Sequence, residues 1–213
     1  VVDTNTPHAL AHNGFATRRA ASESCAQALG LTYLRDALPE ELSCAHHDER
    51  EAKEWRLELV DSSVNRSLTA LEEREGPATF PRGWVRHAFH DMTLVGRASY
   101  LLKHADELGY RAFEEAGRIF TESFISMRDE LRVSRPEIDV AVEACLAHEA
   151  LGARIVGGGF GGAVMALVKT SRLEETAQAI AQAYAEHGYA EPRFLPMVAG
   201  FPADCDWLSE NFR

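Results

Sequence analysis

The chain is poor in cysteine, has no excess of basic charge and holds no long apolar run. Its four cysteines are Cys25, Cys44, Cys145 and Cys205. None stands in a C-x-x-C pair, which argues against a zinc site. Cys25 and Cys145 fall on the apolar stripes of predicted helices and read as small buried thiols in a reducing, cytoplasmic setting. Lys and Arg number 22 against 33 Asp and Glu, for a net charge of −11. That balance argues against nonspecific nucleic-acid binding, which needs a basic face. It leaves room for a phosphate held by a local cluster of backbone N–H groups. No apolar run approaches the ~20 residues that cross a bilayer, so no membrane partner is expected. His46, His47 and Asp48 could in principle hold a metal, but read better as a solvated acidic loop, and no metal ligands are predicted.

Against these absences stands one concentration of glycine. In Gly152-Ala153-Arg154-Ile155-Val156-Gly157-Gly158-Gly159-Phe160-Gly161-Gly162, five of the last six residues are glycine. Without a Cβ, such a backbone turns tightly and lets another group come close. Phosphate can be cradled in this way, and a glycine-rich hairpin turn explains the spacing equally well.

The flanks and the order of further motifs resemble the GHMP kinase superfamily, most closely galactokinases. The glycine segment is similar to the third motif of that superfamily. His8-Ala9-Leu10 with Phe15-Ala16-Thr17-Arg18-Arg19 resembles H-x-L…Y-x-x-R-R. Leu34-Arg35-Asp36 with Glu40-Glu41-Leu42 resembles L-R-D…E-E-L. Arg86-His87, Asp91 and Arg97 resemble the helix with R-H-x-x-x-E. Ser123, Ser126-Met127-Arg128-Asp129, Val133-Ser134 and Pro136-Glu137-Ile138-Asp139 resemble S-H-x-S-L-R-D…V-S-x-P-E-L-D.

The resemblance implies ATP-dependent phosphorylation of galactose at its anomeric hydroxyl. It implies Gly157, Gly158, Gly159, Phe160, Gly161 and Gly162 on the nucleotide side, and Phe15 against the sugar. Arg18 and Arg19 are expected to hold an inter-domain contact rather than substrate. No catalytic residue is assigned in this chain. The phosphate loop P-x-G-x-G-L-S-S-S, the sugar signature G-R-x-N-L-I-G-E-H and the carboxylate beside the attacking hydroxyl are not in the sequence. ATP and Mg²⁺ are therefore expected mainly in an N-terminal half, with this chain as the C-terminal half of a kinase roughly twice its length, inactive alone. Its partners would be the sugar and its own N-terminal domain, and the uncovered inter-domain face would favour self-association.

Departures from the pattern leave alternatives open. The family tyrosine of Y-x-x-R-R is Phe15, the histidine of S-H-x-S is Phe124, and the threonine before the triple glycine is Val156. Each exchange removes a polar group. A non-catalytic sugar and ATP sensor, with 46–82 as its partner surface, or a kinase of another sugar would fit such losses.

Along the chain, Val1 to Asp3 reads as the end of a strand, and residues 1–12 as the end of a preceding kinase domain. Residues 13–213 read as a domain like the GHMP kinase C-terminal one, with a divergent or inserted helical segment at 46–82. Asn13 is predicted to cap a helix over 14–29 that buries Phe15, Ser22, Cys25, Ala26 and Leu29 and stops at Gly30. Short helices are predicted at 39–42 and 60–71. The stripe Val85, Ala88, Phe89, Met92, Val95 and Ser99 predicts a buried helix face. So does Tyr110, Phe113, Gly117, Phe120, Phe124, Met127 and Leu131. Capping boxes are predicted at Ser134–Glu137 and Ser171–Glu174. The second opens a helix that buries Leu173, Ala177, Ile180, Ala181 and Tyr184 and ends at Gly188. Strands are predicted at 153–156, 163–168 and 193–198, the last an edge strand because of Pro196. Helices followed by β-β-α-β predict an α+β fold, an antiparallel sheet with helices packed on one side.

Overall fold

The structure, a computed structural model, describes residues 1–7, 14–28, 31–37, 69 and 82–197. The fold is α+β, as predicted. Its four strands are β1 (Val2–Thr6), β2 (Gly152–Val156), β3 (Gly162–Leu167) and β4 (Arg193–Phe194). They form one antiparallel sheet in the order β2-β3-β1-β4. The helices are α1 (Gly14–Ala28), α2 (Arg82–Lys103), α3 (Ala105–Leu108), α4 (Tyr110–Asp129), α5 (Pro136–Ala147) and α6 (Leu173–His187).

Register explains the core. Val2 is opposite both Val164 and Phe194, and Ile155 is opposite Val164. One row of apolar side chains therefore runs across all four strands. Side chains alternate between the two faces of a strand, so Asp3 takes the opposite face, where Arg193 donates to its carboxylate at 2.5 Å. α5 packs over β1, β2 and β3, and α6 packs on α5. Ile138, Ala141, Val142, Cys145, Ile180 and Tyr184 are buried against the strand row. Ile180 and Tyr184 are among the residues the sequence stripe picks out for α6. The Tyr184 hydroxyl donates to the Glu137 carbonyl at 2.5 Å, which ties the two helices together. Burial pushes its phenol well up, with the nearby Glu137 carboxylate adding to the shift.

β1, assigned by the sequence to the end of a preceding domain, lies between β3 and β4 and is hydrogen-bonded to both. β4 is an edge strand, as predicted, but is only two residues long, and Pro196 lies beyond it. Gly188 ends α6 in the left-handed region with φ 68°, and accepts the role of a C-terminal stop through its N–H to Tyr184 and Ala185 carbonyls.

Several local expectations are corrected. Neither predicted capping box forms. Arg135 is the N-cap of α5 and makes no side-chain cap, while Ser134 donates to Asp139 at 2.5 Å. A 3₁₀ turn over Thr170–Arg172 precedes α6, which moves the helix start past Ser171. Leu173 and Val95 are exposed. In α4 the aromatics Tyr110 and Phe113 face out, while Ala112, Ala116, Gly117, Ile119 and Ser123 face in. Two close backbone approaches explain this. A Cβ on Gly117 would overlap the Leu151 carbonyl, and one on Gly152 would overlap that of Gly117. α4 thus lies directly on the start of β2, where only small residues fit. Asn13, Leu29, Gly30, the helices at 39–42 and 60–71, His46–Asp48 and 46–81 lie outside the described residues.

Candidate functional site

The glycine segment is the turn between β2 and β3. Gly157 and Gly159 both have φ +79°, Phe160 +62°, Gly161 +130° and Gly162 +88°. Five positive φ values in six residues require a chain with almost no Cβ atoms. The glycines nonetheless serve different ends. A Cβ on Gly159 would stand 2.6 Å from the Cβ and carbonyl oxygen of Val133, and one on Gly161 would stand 2.6 Å from the Pro7 carbonyl. Those two positions are glycine because the protein packs against them. A Cβ on Gly157 would meet nothing within 4 Å, and Gly157 and Gly158 are exposed. The outward face of the loop is therefore the backbone of these two residues. The Gly162 carbonyl accepts from the Thr4 hydroxyl at 2.5 Å, which fastens the far end of the turn to β1.

Phe160 turns inward. Its N–H donates to the Val133 carbonyl at 2.7 Å, and its ring lies 4.9 Å from the guanidinium carbon of Arg18. Arg18, on α1, also lies 4.6 Å from the Trp84 ring of α2. It donates to three backbone carbonyls, from Nε to Leu131 at 2.7 Å and from the two terminal nitrogens to Gly14 at 2.9 Å and Arg132 at 2.8 Å. Burial pushes its pKa down. Every carbonyl that Arg18 is seen to bond lies within this chain. Arg19 pairs with Glu23 at 2.8 Å on the surface. Phe15 sits in the first turn of α1, and its side chain lies outside the described residues.

Behind the loop is a cavity of about 320 Å³, lined by Arg18, Trp84, Gly157, Gly158 and Phe160, with a polar corner of His87, Asp91 and Arg154. α2 and α4 supply that corner through a chain of side-chain bonds. Ser123 donates to Asp91 at 2.5 Å, and Arg154 reaches the other Asp91 oxygen at 4.0 Å. Ser126 donates to Glu130 at 2.9 Å and stands 3.0 Å from His87 Nδ1. With the Ser126 proton on Glu130, His87 must donate from Nδ1. Burial lowers the His87 pKa, partly opposed by the Asp91 and Glu130 carboxylates, so the ring is held neutral.

A larger cavity of about 420 Å³ opens at the opposite edge of the sheet, among Val1, Cys145, Ile180, Phe194 and Leu195. Its lining is mixed, with Thr170, Glu174 and Thr176 among the apolar side chains, and the glycine turn does not border it. Convergent polar groups mark a ligand site better than volume does, so the glycine turn and its surroundings form the candidate site. The sequence identified the turn but not its supports. Trp84 carried no signal beyond apolar character, and Val133 stood in a quoted motif that gave no sign of its contact with the turn. Arg154 stood in the quoted glycine segment, and its partner Asp91 is 63 residues away along the chain, a pairing that no local pattern shows. Among the described residues no group of three His, Cys, Asp or Glu is gathered to hold a metal, and no helix is long and apolar enough to cross a membrane.

Comparison with known proteins places this geometry. The family described as GHMP kinases C terminal matches residues 86–190. The galactokinase of Streptomyces coelicolor is 33% identical over 198 residues, covering 93% of this chain and 43% of that protein. The Mycobacterium tuberculosis galactokinase is 31% identical over 192 residues, 90% of this chain and 44% of that one. The human galactokinase is 32% identical over 185 residues, 86% of this chain and 38% of that protein. The chain thus spans less than half the length of these relatives. The crystal structure of Lactococcus lactis galactokinase complexed with galactose superposes with a TM-score of 0.64 at 24% identity, over 90% of this chain and 42% of that one. This likeness shows the fold.

Proposed function

This chain carries a GHMP kinase C-terminal domain over residues 86–190 and is galactokinase-like over most of its length, and we propose that it is the C-terminal portion of a galactokinase-like sugar kinase. The longer protein would transfer the γ-phosphoryl group of ATP to the anomeric hydroxyl of galactose. The observation that carries the reading is the glycine turn. Its inner glycines are locked onto Val133 and Pro7, while Gly157 and Gly158 are exposed and a Cβ on Gly157 would meet nothing within 4 Å.

Phosphoryl transfer depends on positioning and charge stabilisation. The described residues fit the positioning part and not the charge part. Of the arginines that line the cavity behind the turn, Arg18 already donates to three carbonyls and Arg154 lies 4.0 Å from the Asp91 carboxylate. No carboxylate cluster for Mg²⁺ lies beside the turn. ATP and Mg²⁺ would accordingly be held mainly by the N-terminal portion, with Gly157 and Gly158 backing its phosphate loop. α1, with Phe15 in its first turn, would form one wall of the sugar pocket. Covering the outward face of the turn with that second domain would also exclude water from the reacting groups. The setting would be cytoplasmic, and the chain alone would not turn over ATP.

Val156 gives the second reading its footing. It is exposed at the rim of the turn, where a threonine would offer a hydroxyl. Such a rim suits a different sugar or a sensor that binds without transfer. The test is sugar-dependent ADP release by the longer protein and by the 213-residue chain. Galactose-dependent release from the longer protein, with none from the chain alone, is expected. Binding of galactose and ATP to the longer protein without release would overturn the kinase reading in favour of the sensor. Release with another sugar and not galactose would change the substrate.

A further inference from the structure

We propose that Arg18 is a positioning residue that locks the glycine turn to the helix on the sugar side, so that the two walls of the site move as one body. The inference deepens the kinase reading and rests on it for its functional part. Its geometric part stands independently.

The contacts form a closed circuit. Arg18 stands on α1 one helical turn after Gly14 and donates to its carbonyl. Its guanidinium reaches across to two successive carbonyls, Leu131 and Arg132, in the connection between α4 and α5. The next carbonyl in that connection, Val133, accepts the N–H of Phe160 from the glycine turn. Phe160 returns to Arg18 through its ring. It also meets α1 directly, because a Cβ on Gly14 would lie 2.7 Å from the Phe160 ring. Three consecutive carbonyls thus serve one arginine and one turn, and each fixes the other's position. Arg132 is held with φ +57° in the middle of this connection, a conformation that orients those carbonyls and that a non-glycine residue adopts only when its surroundings impose it. The Trp84 ring, from α2, closes the open side of the guanidinium.

Lysine could keep the charge and a ring contact at this position, but a single ammonium cannot reproduce the planar fork that donates from several nitrogens at fixed angles. Arginine is required here for geometry. A guanidinium in this position has no role as an acid, a base or a phosphate clamp, because its donors are directed into the backbone. Its effect on the reaction comes through the turn, on the nucleotide side, and through α1, on the sugar side.

The test is Arg18→Lys in the longer protein, read two ways. Amide hydrogen exchange at Gly158–Gly162 should quicken by at least about tenfold, which corresponds to a tenfold larger open population of the turn. Exchange at Ala153, Arg154 and Ile155 in β2 should be unchanged. The KM values for ATP and sugar should both rise while kcat stays within about twofold, since misplacement of binding walls weakens ground-state and transition-state contacts together. A general structural defect would lower kcat through a smaller active fraction and leave both KM values unchanged. Unchanged exchange in the turn overturns the lock. Quickened exchange with both KM values unchanged overturns its role in the reaction. If the wild-type protein shows no sugar-dependent turnover, the kinase reading falls and the exchange result alone judges the lock. Should Arg18→Lys fail to fold, Phe160→Leu removes the ring partner while leaving the three carbonyl bonds, and the same turn-specific quickening is expected.

Discussion

Gly157 and Gly159 share a φ of +79° but should respond unequally to the same substitution. Gly159→Val drives a branched side chain into Val133, whose Cβ and carbonyl stand 2.6 Å from the new atom. Overpacking and left-handed strain together cost about 3 kcal/mol, which lowers the melting temperature by roughly 6–12 °C in a chain of this size. Gly157→Val meets open space and carries only the strain, about 1 kcal/mol or roughly 2–4 °C. In the longer protein it should nevertheless reduce sugar-dependent ATP turnover by at least about tenfold, because a misplaced wall disturbs the aligned reactants. Thermal scans and turnover assays on both variants check this. Equal destabilisation by the two would mean that Gly157 is packed from its outer side. From sequence alone the two glycines are indistinguishable, since which one meets a neighbour depends on Val133, some 26 positions away.

His87 adds a pH dependence at the same scale. Burial lowers its folded-state pKa, so the unfolded chain binds the proton more readily. The resulting stability is present above the ordinary imidazole value of about 6.5 and declines as pH falls below it. The denaturation midpoint of the wild-type chain should therefore drop more between pH 7.5 and pH 5.5 than that of His87→Gln. Parallel declines in the two proteins would show that other groups carry the acid sensitivity. The sequence marked His87 only as part of a motif. Its neutral state follows from its burial, which outweighs the opposing Asp91 and Glu130 carboxylates.

At the scale of elements, the contact between α4 and β2 includes one point where backbone lies against backbone. Gly117 and Gly152 meet backbone to backbone, and α2 packs on the same helix through His90 and Glu122 at 2.8 Å. Gly117→Ala gains about 1 kcal/mol of helix propensity but places a methyl group inside a carbonyl that cannot move without breaking the sheet. The steric term wins, and a net loss of about 1–3 kcal/mol is expected from the urea midpoint. A more stable variant would mean that α4 can slide along β2. Periodicity found α4 and placed Phe124 and Met127 inside, both of which are buried. It misplaced Tyr110 and Phe113 because hydrophobicity scales rank aromatics above glycine and alanine, whereas a close backbone approach selects for small size. The capping boxes failed for a related reason. Ser134 has a nearer acceptor in Asp139, and Ser171 lies within a 3₁₀ turn, so correct spacing did not bring the side chain to the helix N-terminus.

At the scale of the whole molecule, the strand order and the α+β layering were more legible than the site. Two apolar runs around a glycine turn can only be an adjacent antiparallel pair, and α5 and α6 declare their inner faces at three- and four-residue spacing. The place of β1 was not legible. Five residues at the start of the chain hold no local sign that their partners are Val164 and Phe194.

That placement sets a timetable. During synthesis β1 is made before both of its partners in the sheet, and the nearer of them, β3, follows some 160 residues later. At about 5–20 residues per second, the strand waits roughly 8–32 s for that partner. The sheet then closes only when the strand that came first slides between two that came last. Until that moment α5 has no complete surface to lie on, and the glycine turn is anchored at one end only. The site is thus among the last parts of the domain to exist, and a nascent chain that stalls before β3 presents an open strand edge and no binding surface at all.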